Sequence, residues 1–140
     1  MALWLRRLDD AELVAASDSV CTGLQLVNFL QDVPRDLELG RIYLPADDRR
    51  RFGDPALDRP SGELRDLLRF EAERAAALLG AGELLRTRIG GRLGRAVVLF
   101  ARGGLAALEA LEAAGWDVFT QRPRPSRARL AREAARTLVT

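Results

Sequence analysis

Near the start of the chain, four polar side chains fall on one face of a helix. Gln25, Asn28, Asp32 and Asp36 lie in the run QLVNFLQDVPRDLELGRIYLP. At about 100° per residue they occupy an arc of about 80° over three turns. A solvated face would mix arginine with glutamate, whereas this row holds only carboxylates and amides. Two carboxylates at i and i+4 repel by about a few tenths of a kcal/mol on a helix, and a hard divalent cation would offset that repulsion. Magnesium takes one or two carboxylates together with phosphate oxygens and water. Asp32 and Asp36 are therefore candidate ligands, and Asn28 and Gln25 could donate to phosphate or bind metal through their carbonyls. Just beyond, Arg41 and Tyr43 offer a cation and a phenol suited to an anionic leaving group. Spacing alone leaves a second reading open, in which Asp32 and Asp36 are surface acids and Asp36 pairs with Arg35 or Arg41.

The elements that must hold this row are helical. Leucine and alanine make up 25 and 22 of the 140 residues and only eight residues are aromatic, a balance that favours helix over sheet. The first helix is expected from Asp10 to Leu39, opened by an Asp9–Glu12 capping box, kinked by Pro34 and stopped at Gly40. Its stripe of Val20, Leu24, Val27 and Leu30 has helical spacing. The following segment, 41–60, is dense in turn residues and reads as a connection. A second helix is expected from Ser61 toward Gly90, with Leu64, Leu67, Leu68, Ala72, Ala75, Leu78 and Leu79 inward. A third, from Arg92 to Ala114, carries Val97, Leu99, Phe100, Leu105, Leu108 and Leu111. Gly103 and Gly104 in its middle cost about 1 kcal/mol each against alanine, which implies close packing there. After the stiff RPRP break at 122–125, a basic amphipathic helix is expected over Ser126–Leu138. The whole reads as one all-α unit.

Composition narrows the chemistry. The chain has no histidine and no lysine, its 22 cations all being arginine, and it has one cysteine. Histidine catalysis, histidine metal sites, internal disulfides and multi-thiolate metal centres are excluded. Residues 122–140 hold six arginines and one glutamate, and the other 121 residues hold 16 arginines against 19 acids. A weakly acidic body with a basic tail is not the footprint of a nucleic-acid protein. The start MALWLRRLDD lacks the order of a signal peptide, and no run approaches the length of about 18 uninterrupted apolar residues that marks a membrane span. The reading is a cytoplasmic protein. Peripheral contact at the inner membrane surface is open to the arginines of the last helix, for which a solvated face is the plainer account.

The wider string CTGLQLVNFLQDVPRDLELGRIYLPADDRRRFG resembles the second aspartate-rich region of the squalene/phytoene synthase family. That pattern is approximately LQ-x-x-N-x-x-x-D-x-x-x-D-x-x-x-GR-x-YLP. Leu24, Gln25, Asn28, Asp32, Asp36, Gly40, Arg41, Tyr43, Leu44 and Pro45 fill its fixed positions. GGLAALEALEAAGWDVFTQRP is similar, more weakly, to the family's final core helix and exit. The wording NFLQDVPRD most resembles the hopanoid-pathway branch that converts presqualene diphosphate to hydroxysqualene.

The resemblance implies an isoprenoid-synthase-type helical bundle. It implies a magnesium site held by Asp32, Asp36 and Asn28, with Gln25, Asn28 and Arg41 binding a prenyl diphosphate. Asp32, Asp36 and Tyr43 would take part in its ionisation. Leu24, Val27, Phe29, Gly103 and Gly104 are candidates to line the apolar cavity, or else ordinary core, and Cys21 reads as a buried structural thiol. The family also carries a first aspartate-rich motif on an earlier helix, which this chain lacks; the pair Asp47–Asp48 does not match it. Residues 1–140 therefore read as the C-terminal portion of such a domain, whose partner would be an N-terminal half or another subunit. Two alternatives remain open: a head-to-head condensing enzyme making presqualene diphosphate or phytoene from farnesyl or geranylgeranyl diphosphate, and a non-catalytic helical assembly protein on the same fold.

Overall fold

In the computed structural model, which describes residues 10–120 and 125–139, all regular structure is helical. The elements are α1 (Ala11–Gln31), α2 (Val33–Glu38), α3 (Ala46–Arg51), α4 (Gly62–Leu79), α5 (Gly82–Ile89), α6 (Gly91–Ala113) and α7 (Arg127–Val139). The all-α expectation holds, and most differences from the sequence reading lie at element boundaries.

The first helix opens one residue later than expected. Asp10 is the cap, its side chain accepting from the Leu13 N–H at 3.2 Å, while Asp9 lies outside the described residues. Two adjacent aspartates compete for the role. Burial of Leu13 fixes the helical phase and so selects Asp10. At the far end the chain does more than kink. α1 stops at Gln31, and α2 starts with Pro34 in its first turn, where a missing N–H costs nothing.

The expected connection 41–60 contains the short helix α3, which buries none of its residues. The expected single helix 61–90 is two helices separated at Gly80–Ala81. Ser61 caps α4 by accepting from Leu64 N–H at 3.1 Å. After the break, α5 turns to lie along α6. A Cβ at Gly82 would stand 2.8 Å from the Ala101 Cβ, so the close approach of α5 to α6 requires glycine there.

α1 packs on α4, α5 and α6, and α4 packs on α6. Their shared core includes Val20, Leu30, Leu67, Leu68, Leu85, Val97 and Leu111, all 1% exposed or less. Of the two mid-helix glycines of α6, only Gly104 is tightly enclosed: a Cβ would meet Leu79 Cδ1 at 2.8 Å and Leu24 Cδ2 at 3.0 Å, whereas at Gly103 it would meet nothing within 4 Å. Close packing therefore explains Gly104 and not Gly103. Leu99 and Phe100 of the same helix face outward, Phe100 with 61% of its surface exposed. α1 is long and apolar enough to cross a membrane by composition, but its buried stripe is packed on three neighbouring helices.

α7 docks on α6 with its charges engaged. Arg129 forms ion pairs with Glu109 of α6 at 2.5 Å and with Glu133 at 3.4 Å. Glu133 is buried and also pairs with Arg136. Two of the arginines read as a solvated basic face are thus engaged within the molecule.

Candidate functional site

The polar row survives the break between α1 and α2. Asp32 N–H donates to the Asn28 carbonyl at 3.0 Å, and Asp36 N–H donates to the Asp32 carbonyl at 2.8 Å. These are helical i→i−4 bonds, so Asn28, Asp32 and Asp36 occupy three successive turns although Pro34 interrupts the ladder between them. Gln25 and Asn28 are exposed, and Asp32 and Asp36 are half-buried.

Arg41 and Tyr43 reach this region along a strap, residues 41–45, that begins at a tight helix terminus. Gly40 has φ +69°, its N–H donates to Leu37 O at 2.9 Å, and Arg41 N–H donates to Asp36 O at 2.8 Å. This is the paired-bond C-terminal motif that needs a left-handed residue, which glycine supplies without strain. It ties the Arg41 backbone directly to Asp36. Leu44 is buried and anchors the strap. Tyr43 stacks on Phe29 of α1 with ring centroids 4.1 Å apart and planes 5° from parallel. Phe29, Val33, Asp36, Arg41, Tyr43 and Leu57 are among the residues lining a shallow depression with room for about one water, about 10 Å³.

The fold therefore brings Asp36, Arg41 and Tyr43 to one depression and stacks Asn28 and Asp32 beside it. Their chemistry fits a hard cation: two carboxylates and an amide oxygen, all reached by solvent. Among the described residues no group of three or more acidic, histidine or cysteine side chains could hold a metal ion. The row suits a cation that completes its shell with water and phosphate oxygens rather than a closed protein cage. Among the suggested cavity residues, Val27 belongs to the core, Leu24 and Phe29 are half-buried, and Gly104 is filled by packing. The single thiol is a correction, because Cys21 is exposed. It sits on the outward side of α1 with Gln25, away from the stripe that meets α4.

Sequence reasoning missed a second polar cluster, behind the strap. Glu71 of α4 is 1% exposed. Arg74, one turn on, places a single guanidinium nitrogen 3.0 Å from Glu71 Oε2 and 3.0 Å from Asp48 Oδ2 of α3. Burial, together with a hydrogen bond to Asp48, pushes the Glu71 carboxyl up to about 7. Asp48 moves the opposite way, held down chiefly by its hydrogen bond to Arg74. Of the two carboxyls, Glu71 is therefore the one that holds a proton more readily. Phe70, beside Glu71 in sequence, carries the guanidinium groups of Arg51 at 4.7 Å and Arg74 at 5.1 Å over its ring. A signal for this cluster does exist in the sequence. On a wheel of about 100° per residue, Glu71 falls between Leu64, Leu67 and Ala75 on the apolar stripe, where a lone acid demands a partner.

Comparison with known proteins identifies the family. The family model for squalene/phytoene synthase matches residues 1–129. The phytoene synthase of Mycobacterium tuberculosis is 49% identical over 61 residues, covering 39% of this chain and 20% of that protein. The hydroxysqualene synthase of Rhodopseudomonas palustris is 42% identical over 79 residues, covering 53% of this chain and 27% of the relative. A phytoene synthase of Arthrospira platensis is 34% identical over 115 residues, 75% of this chain and 36% of its own length. The crystal structure of squalene synthase HpnC from Alicyclobacillus acidocaldarius superposes with a TM-score of 0.72 at 38% identity, over 76% of this chain and 42% of that one. The chain thus spans between about a fifth and two fifths of the relatives it matches. With a family model across most of its length, the aspartate row in phase and a shared helical fold, this chain belongs to the squalene/phytoene synthase family.

Proposed function

We propose that these residues form the diphosphate-binding wall of a magnesium-dependent, squalene-synthase-like enzyme that converts presqualene diphosphate to hydroxysqualene with loss of diphosphate. The observation that carries this reading is the in-phase row of Asn28, Asp32 and Asp36 ending at the Asp36–Arg41 backbone bond. That bond sets a guanidinium and the Tyr43 phenol beside the last carboxylate. Asp32, Asp36 and Asn28 hold the cation, and Gln25 and Arg41 bind diphosphate oxygens. Tyr43, held by its stack on Phe29, presents a hydroxyl to the departing group. Bound magnesium would neutralise the charge that grows on the leaving diphosphate. The opposite wall, with the first aspartate-rich motif, comes from residues outside these 140, whether an N-terminal half or another subunit.

The phytoene synthases among the relatives favour a second reading with the same wall. In it the enzyme joins two prenyl diphosphates head to head, farnesyl or geranylgeranyl, and the rest of the cavity selects the chain length. Product analysis separates the two, since presqualene diphosphate yields hydroxysqualene under the first reading and phytoene forms from the longer diphosphate under the second.

The wall itself is tested by calorimetry on the 140 residues. Magnesium alone should bind weakly, because one or two carboxylates make a poor cage, and a prenyl diphosphate should tighten it. Equal metal affinity in the wild type and in Asp32→Ala/Asp36→Ala, with diphosphate present, would remove the row from the site.

A further inference from the structure

We propose that Asp48, Arg74 and Glu71 form a proton-dependent latch between α3 and α4 that holds the 41–45 strap, and with it Arg41 and Tyr43, in place. The strap is secured upstream by the Gly40 motif and within by the buried Leu44. Downstream it runs into α3, a six-residue helix that buries none of its own side chains, so α3 sets how firmly the strap's far end is held. What fixes α3 is therefore side-chain contact with α4. Its two components are the Arg51 and Phe52 contacts with Phe70 and the ion pair that Asp48 makes with Arg74 at 3.0 Å. Arg74 is in turn oriented by Glu71, to whose two oxygens it donates at 3.0 and 3.2 Å.

The cluster holds two carboxylates and one shared guanidinium. With Glu71 protonated it is one anion, one cation and a neutral donor. With Glu71 ionised, two anions compete for one partly exposed guanidinium, and the weaker-held partner is Asp48 on the small helix. The charged groups acting on Glu71 are Asp48 and Arg74, and Arg51 acts on Asp48. The residues that α1 and α6 bury against α4 carry no charge. Glu71 exchanges its proton at about 7, so the latch changes state near neutrality. In this scheme Glu71, Arg74 and Asp48 are positioning residues, and none of them lines the depression at Tyr43. Their relevance to diphosphate chemistry rests on the proposed function; the latch itself does not.

Tyr43 is the only tyrosine and the chain has no histidine, which makes the test direct. In the 140-residue chain with 13C-labelled tyrosine and no ligand, the ring signals of Tyr43 report its stack on Phe29 through the ring current. Between pH 5.5 and 8 the wild-type signals should move toward the position of free tyrosine, with a midpoint near 7. Glu71→Gln, which keeps a neutral donor toward Asp48, should remain at the stacked position throughout. Asp48→Ala should show the released position at both pH values, and amide exchange in α1 and α4 should report the core intact. Tyr43 signals that do not move in the wild type, or that titrate identically in Glu71→Gln, would overturn the latch. Because no metal or diphosphate is present, that failure is distinct from failure of the calorimetric test.

Discussion

The molecule holds two sets of carboxylates a short distance apart in sequence that behave in opposite ways. Asp32 and Asp36 stand half-buried on successive turns at the end of α1 and in α2. Asp48 and Glu71 face each other from α3 and α4, with Glu71 shut away from solvent and Arg74 bound to both. Both side chains of the first pair are reached by solvent. Burial of Glu71 is offset internally, through the guanidinium it shares with the half-buried Asp48. Environment thus separates a solvent-reached pair of carboxylates from one fastened inside the fold.

The largest effect that would break this contrast concerns turnover. In an enzyme completed by the opposite wall, Asp32→Asn should lower kcat by roughly 100-fold or more, the scale of losing one preorganised electrostatic stabiliser. The 140 residues alone should give no detectable turnover of presqualene or farnesyl diphosphate, and steady-state assays of both preparations check this. Robust turnover by the chain alone would mean that one wall suffices.

Stability should respond in the reverse order. Arg74→Met leaves Glu71 and Asp48 without their shared cation, and should cost about 2 kcal/mol in denaturant melts. That is below the usual cost of breaking a buried pair because Arg74 is itself partly exposed. The loss should be greater at pH 8 than at pH 5.5, since a protonated Glu71 needs no counter-charge.

A smaller effect follows from the Glu71 proton. Its folded value of about 7 lies above the ordinary 4.5, so the folded state binds the proton more tightly than the unfolded chain. The stability it contributes is full below 4.5 and is lost as pH rises through about 7. Asp48 has the opposite sign: its lowered value contributes stability that is present above the ordinary 3.8 and is lost as pH falls through the folded value. Chemical denaturation from pH 5.5 to 8 should show a decline of the order of 1 kcal/mol that Glu71→Gln abolishes.

The smallest effect sharpens the other side. Asp36→Asn should change the melting free energy by no more than about 0.5 kcal/mol, toward greater stability if anything, because it relieves an i,i+4 repulsion with Asp32. A large destabilisation would show Asp36 to be a structural residue after all.

Much of the fold was legible because it depends on local periodicity. The apolar stripes gave the long helices, Ser61 and Gly40 marked two ends correctly, and the tight terminus at Gly40 follows from the residue type alone. Breaks and boundaries were less legible. Gly80–Ala81 looked compatible with a continuous helix, and only the turn of α5 onto α6, with Gly82 against Ala101, interrupts it. Asp47–Asp48 were set aside as loop residues matching no motif. Asp48 gains its role chiefly from Arg74, which lies 26 residues away.

By itself the sequence determined the helical class, the phase of Gln25, Asn28, Asp32 and Asp36, and the family these residues mark, because a helix repeats over a few residues and carries its pattern in the chain. Tertiary structure alone decided that Tyr43 would stack on Phe29, that Cys21 would face outward, that α7 would be held by Glu109, and that the Glu71 carboxyl would be pushed up to about 7. Each of these depends on which distant surface closes over a side chain, and burial and counter-charge of that kind are set by packing between elements rather than by the order of residues within one.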